Sequence, residues 1–195
     1  MMRGMTAEDR PPNVAALAAQ LDTSTEILLD RLAGLTDEEY LWDPAPGSWS
    51  LRPREQVKTA KAFGRGALVA EYEAPTPDPA PMRTIAWLMW HISQCCIGRA
   101  DYTIGSRSLK PDDVDCPATA EAGIAQLRHG LSRWRAVFDE VAPDEYAQVG
   151  RSTYPQGLDP QLPLADILWW NNREIIHHGA EIAMLRDLYA FRDAG

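Results

Sequence analysis

The sequence predicts an all-α domain, a four-helix bundle with long crossover linkers. Four stretches keep apolar residues at three- and four-residue spacing, no stretch sustains a period-two alternation of β-branched residues, and proline- and glycine-rich segments separate the stretches. In the first stretch, 13–35, Val14, Leu17, Leu21, Leu28, Leu32 and Leu35 share a face, with Asn13 placed to cap. The second, 84–102, carries Trp87, Leu88, His91, Cys95 and Tyr102 near one stripe, with Pro81 just upstream. The third, 119–141, keeps Ile124, Leu127, Leu131, Trp134, Phe138 and Val141 in phase behind Thr119, a good N-cap residue. The fourth, 163–192, is the longest, with Pro163 in its first turn, where a missing N–H costs nothing.

Leu35-Thr-Asp-Glu-Glu-Tyr40 follows the first helix as Val141-Ala-Pro-Asp-Glu-Tyr146 follows the third, so each reads as a short helical turn that stops the helix before it. The 195 residues suit one domain over 1–195. Residues 1–12 are expected to be flexible and 50–83 to form a linker excursion, with a short extra helix within 54–70.

A net charge of −9 disfavours a nucleic-acid partner, because such binders usually neutralise phosphates with a basic face. The local run Arg52, Arg54, Lys58, Lys61 and Arg65 reads as a solvated patch first and as a surface for an anionic small molecule second. The longest uncharged apolar stretch, 84–98, is interrupted by His91, Ser93 and Gln94 and falls short of the ~20 apolar residues of a membrane span. The first residues carry Arg3, Glu8, Asp9 and Arg10 and no apolar core of a secretory signal. The expectation is a cytoplasmic protein without a membrane partner. Cys95, Cys96 and Cys116 do not make a disulfide framework and are expected as thiols.

The chemistry concentrates in the fourth helix. Its apolar phase puts Leu168, Ile175, Ile182 and Tyr189 at one seam position and Leu164, Asn171, His178 and Leu185 at the other. His178 therefore faces the core, and Glu174, one turn earlier, flanks the same seam. His177 points toward Arg173 and Glu181. A carboxylate at a core face is costly unless paired or metal-bound, so Glu174 and His178 need a common partner, and His91 on the second helix is the natural one. Two imidazoles and a carboxylate suit zinc, nickel or ferrous iron with positions left open. A core histidine is also often simply hydrogen-bonded, and Glu174 has Arg173 and His178 as ion-pair partners. Cys95 is a further candidate ligand, although cysteine on such a face is more often a small hydrophobe.

The stretch Tyr40-Leu-Trp-Asp-Pro-Ala-Pro-Gly-Ser-Trp-Ser50, the Trp90-His91 pair, and His177-His178-Gly-Ala-Glu-Ile ahead of Leu185-Arg-Asp-Leu-Tyr189 resemble the DinB-like superfamily. That superfamily includes mycothiol-dependent maleylpyruvate isomerases and bacillithiol transferases. The resemblance implies a four-helix bundle that binds a divalent metal through one histidine on the second long helix and two, four residues apart, on the fourth. Those positions fall on His91, on His178 and on Glu174, where histidine is commoner. The sequence departs from the family pattern a second time, since His91 lies far downstream of Trp49.

The implied function is a metal-dependent transferase or isomerase that uses a low-molecular-weight thiol and a small-molecule electrophile, or a metal-assisted hydrolase. Glu181 and His177 are then the candidate supporting residues or proton acceptors, and Asn171 and Tyr102 candidate pocket walls. The alternative is a non-catalytic ligand-binding or homodimeric bundle whose polar core site serves structure. Trp87, Trp90, Trp169 and Trp170 read as core packing or a dimer seam before a substrate box.

Overall fold

Proline, not asparagine, opens the first helix. The computed structural model describes residues 10–192, and α1 (Pro12–Arg31) has Pro11 at its N-cap and Pro12 in its first turn. Proline has no N–H to leave orphaned there, so no side-chain cap is required, and Asn13, expected as the cap, lies inside the helix. Of the segment expected to be flexible, residues 1–9 lie outside the described residues, while Pro12 is already helical. The helix stops at Arg31, short of the expected Leu35.

The short turn α2 (Asp37–Tyr40) follows, with the Thr36 hydroxyl accepting from the Glu39 N–H at 3.2 Å. The long helices α3 (Ile85–Ile104), α4 (Ala120–Glu140) and α5 (Leu164–Phe191) complete the mostly helical class that the periodicity implies. Thr119 caps α4 as expected, whereas Pro163 occupies the N-cap of α5 and not its first turn. The second member of the paired stop signals becomes a 3-10 turn over Pro143–Ala147. In packing, α3 lies against α4 and α5, and α1 lies against the same two. No helix among the described residues is long and apolar enough to cross a membrane.

The 50–83 excursion corrects the reading. Instead of an extra helix within 54–70 there is one 3-10 turn, Arg54–Gln56, and a three-stranded antiparallel sheet of β1 (Leu51–Arg52), β2 (Lys61–Phe63) and β3 (Val69–Tyr72), in the order β1-β3-β2. Glu71 explains why extended chain wins. Its buried carboxylate accepts from the Ser50 N–H at 3.1 Å, the Lys58 N–H at 2.8 Å and Arg52 Nε at 2.9 Å, three donors from separate parts of the excursion. A buried charge needs this degree of satisfaction. Gly64, at the end of β2, has a φ of +91° and no room for a side chain, since a Cβ there would stand 2.3 Å from Cys116 Sγ.

The sheet fixes α3. The Trp87 indole donates to the Glu71 carbonyl at 2.7 Å, and the Trp49 N–H and carbonyl pair with Met82 and Thr84 at 2.9 Å each. Thr84 caps α3, its hydroxyl accepting from the Trp87 N–H at 3.2 Å and lying 3.1 Å from the Ser50 hydroxyl. The Trp-Ser pair of the sequence is therefore the seat of the helix that carries His91. Thr84→Ala removes that cap and should cost about 1–2 kcal/mol of unfolding free energy. Denaturant titration should show this as a lower midpoint with an unchanged slope, at unchanged helix content.

Candidate metal centre

On α3, His91, Cys95 and Arg99 are spaced by four and so share one side of the helix. On α5, burial of Leu164, Leu168, Asn171, Ile175, His178, Ile182 and Leu185 follows the expected seam, which turns Glu174 and His178 toward α3. Only Tyr189, at the far end of the predicted seam, is half-buried.

These two faces bring His91, Glu174 and His178 together, with one ligand atom from each within 4.8 Å of the others. Glu174 Oε2 lies 3.2 Å from His178 Nε2 and 3.7 Å from His91 Nε2. The two imidazoles meet edge to face at 4.9 Å. The other carboxylate oxygen, Oε1, pairs with Arg173.

Each imidazole is also held from behind. His178 Nδ1 lies 3.0 Å from Glu181 Oε2, and Arg83 Nη1 donates to both Glu181 oxygens at 3.3 and 3.4 Å. That contact assigns the Nδ1 proton to the Glu181 bond; Nε2 donates to Glu174 while the ring is protonated and turns its lone pair toward the triad once the ring is neutral. The His91 ring stacks on Trp87 at 5.0 Å and 12°, and the Arg83 guanidinium covers the same indole at 5.5 Å. Arg83 thus stands behind both histidines. This donor set fits a divalent ion: two imidazole nitrogens and a carboxylate from two helices, with a carboxylate supporting one histidine.

The electrostatics follow from these contacts. Burial disfavours charge on His91, but Cys95 and Glu174 outweigh it and raise its pKa to about 9. Burial likewise opposes ionisation of Glu174, yet hydrogen bonds from His178 and His91 hold the carboxyl far below the usual range. His178 is raised, its burial overcome by Glu174 and Glu181. Glu181 is lowered by His178 and Arg83 against its own burial. Cys95 Sγ sits 3.8 Å from His91 Nε2, and despite burial the neighbouring His91 and Arg99 bring the thiol down to about 7. Next to it, burial pushes Cys96 up to about 12.

A second group, His177, His178 and Glu181, has the same donor types. It uses one face of one helix, its His177 side chain is 65% exposed, and its carboxylate is already engaged by Arg83 and His178. The first group is the better-shaped centre.

A cleft of about 240 Å³ opens beside His91 and Cys95, with Phe63, Tyr72, Trp90, Arg99, Tyr154 and Trp170 among its walls. Two expected wall residues are elsewhere: Asn171 is buried with its amide 3.6 Å from Cys96 Sγ, and Tyr102 packs edge-on against Tyr154. Neither lines the cleft. Of the tryptophans read as core or seam, Trp87 and Trp90 are buried in the core, Trp90 and Trp170 line the cleft, and Trp169 is 55% exposed.

Sequence reasoning missed Arg99, Gln94 and Tyr154. The first carried a signal, since it repeats the four-residue spacing of His91 and Cys95. Tyr154 comes from the 150–162 crossover, where no periodicity points inward. It reaches α3 because Gly98 lacks a side chain, as a Cβ there would stand 2.7 Å from the tyrosine ring.

A family model described as DinB superfamily matches residues 59–182. The matched span holds His91, Glu174, His178 and Glu181 and leaves out α1 and the 40–50 stretch. No curated protein and no solved structure matches the chain.

The arrangement behind His178 generates a measurement. Glu181→Gln or Arg83→Ala should weaken divalent-metal affinity about 10- to 100-fold by freeing the His178 ring, while His177→Ala should leave it within a few-fold. Chelator-competition titration reads both. A loss in His177→Ala as large as in Glu181→Gln would move the centre to the second group.

Proposed function

The chain belongs to the DinB superfamily, and from that premise we propose that it is a divalent-metal-dependent enzyme acting on a small electrophile with a low-molecular-weight thiol, or water, as the attacking group. The observation that supports this most is the convergence of three ligand atoms, within 4.8 Å, beside a cleft sized for a small molecule. His91, Glu174 and His178 would hold zinc, nickel or ferrous iron. Bound there, a divalent ion lowers the pKa of a thiol or water and so supplies a nucleophile at neutral pH.

The chain's own residues do the rest. Glu181 and Arg83 hold the His178 ring, and Trp87 holds the plane of His91. The aromatic walls exclude water from the bound electrophile. Of the two candidate proton acceptors, Glu181 faces the far nitrogen of His178 and His177 is exposed. Both lie outside the cleft, which favours a supporting role for Glu181.

One observation favours the non-catalytic alternative. Glu174 already has both imidazoles and Arg173 as partners, so the triad is satisfied as a polar clasp between α3 and α5.

Elemental analysis of protein purified without chelator separates the readings, followed by thiol consumption with a panel of electrophiles. The enzyme reading expects about one equivalent of metal, lost in His91→Ala and His178→Ala. It also expects metal retained in Glu174→His, which rebuilds the commoner ligand set, and much reduced in Glu174→Gln. Equal metal content in wild type, Glu174→Gln and Glu174→His would show that the carboxylate only clasps the helices.

A further inference from the structure

The cleft contains a buried cation with an unused edge. Arg99 is 2% exposed, and its guanidinium lies between the rings of Trp170 and Tyr154, at 4.3 and 4.6 Å from their centroids. Asp159 takes one edge only: Oδ1 accepts from Nη2 at 3.4 Å and Oδ2 lies 3.3 Å from Nε. Only Nη2 is hydrogen-bonded: neither Nε nor the remaining nitrogen, Nη1, has a hydrogen-bond partner among the described residues. The Cys95 sulfur, whose own pKa is brought down by His91 and Arg99, gives this guanidinium a second negative neighbour on its α3 side.

Burial raises the pKa of Asp159 in spite of Arg99 and the Ser152 hydroxyl. A second wall residue has the same deficit as Arg99, since Trp90 Nε1 is buried without a partner among the described residues. Both unsatisfied groups are donors. The amide and phenol nearby are already committed: Gln94 Nε2 donates to the Tyr154 hydroxyl at 2.5 Å, which is 3.2 Å from Gln156 Oε1.

A buried donor without an acceptor is destabilising, more so when charged, and a native structure carries few of them. A ligand that brings acceptors removes that cost, whereas a cationic ligand would meet Arg99 at close range. The walls, Phe63, Tyr72, Trp90 and Trp170, offer flat apolar faces for its body.

We propose that the cleft is a binding site for a small organic carboxylate, held through its anionic group at the free edge of Arg99 with its planar body against the aromatic walls. The proposal names the substrate class for the function proposed above. It rests on that reading for what the ligand meets at His91, but not for the binding itself. Arg99, eight residues along α3 from His91, then orients the carboxylate end of a molecule whose other end reaches the candidate centre.

The test compares benzoate with benzamide, which keeps the shape and removes the charge, followed by calorimetry and tryptophan fluorescence on the full chain, with and without EDTA. Benzoate should bind saturably in both conditions, about tenfold or more tighter than benzamide. Arg99→Lys keeps a cation opposite Asp159 and loses the free edge, so benzoate affinity should fall by a similar factor while benzamide is unchanged. Asp159→Asn, a second variant of the same volume, should tighten benzoate several-fold by removing the competing carboxylate.

Benzoate and benzamide binding alike, neither binding, or no response to either variant would overturn the proposal and leave water as the partner of both donors. Benzoate binding that disappears with EDTA would also overturn it, by placing the anion on a metal. Failure of the metal reading shows separately, as protein without metal that still discriminates benzoate through Arg99.

Discussion

Helix α3 is buried on nearly every side, and a helix of that kind must be covered from every direction. Two flanks are met by α4 and α5. A third is met by the small sheet, tied on through the Trp87 indole and the Glu71 carbonyl, and the fourth by the 150–162 crossover, whose Tyr154 seats against Gly98. Covering a helix also buries its polar residues, and each then requires a partner. Ser93 and Thr103 solve this locally by donating to the carbonyls one turn back, of Met89 and Arg99, at 2.7 Å. His91, Gln94 and Arg99 cannot, and they draw Glu174, Tyr154 and Asp159 from the covering segments. The candidate centre and the cleft are both products of this requirement.

That origin explains what could be read in advance. Period is a property of long segments, so the four long helices were visible, as was the α5 seam that places His178 inward and His177 outward. The sheet was not. Strands of two, three and four residues are too short to show alternation, and what fixes them is the Glu71 carboxylate, whose three donors are scattered over 50–58. The error at Asn13 is of the same kind: a cap residue was preferred where two prolines already supplied the start.

Site residues divide along the same line. Glu174 and His178 sit one turn apart on a single helix, so sequence spacing brings them together, and His91 could be paired with them because it is the one histidine on α3. Arg99 repeats that spacing from His91, and reading the polar positions of α3 as a row would have included it. Trp169 and Trp170 show the limit of composition alone. They are adjacent, hence about 100° apart on the helix, and one is exposed while the other faces the guanidinium at 4.3 Å. Tyr154 and Asp159 belong to a crossover whose path is decided by packing on α3, and nothing local in their sequence states where they go.

Glu174 changes what such a centre can do. With a divalent ion, two neutral imidazoles and one carboxylate leave a net charge of +1, whereas three imidazoles leave +2. A lower charge pulls less on the proton of a bound thiol or water. The carboxylate also makes the metal-free state more comfortable, because it neutralises protonated imidazoles that a third histidine would repel. An ion entering here must displace those protons, so its affinity is tied to pH more steeply than the ligand count alone suggests. Both effects weaken the pull that such an ion would exert on a bound nucleophile. On the same face of the same helix, Arg99 keeps a second buried positive charge in the neighbouring cleft.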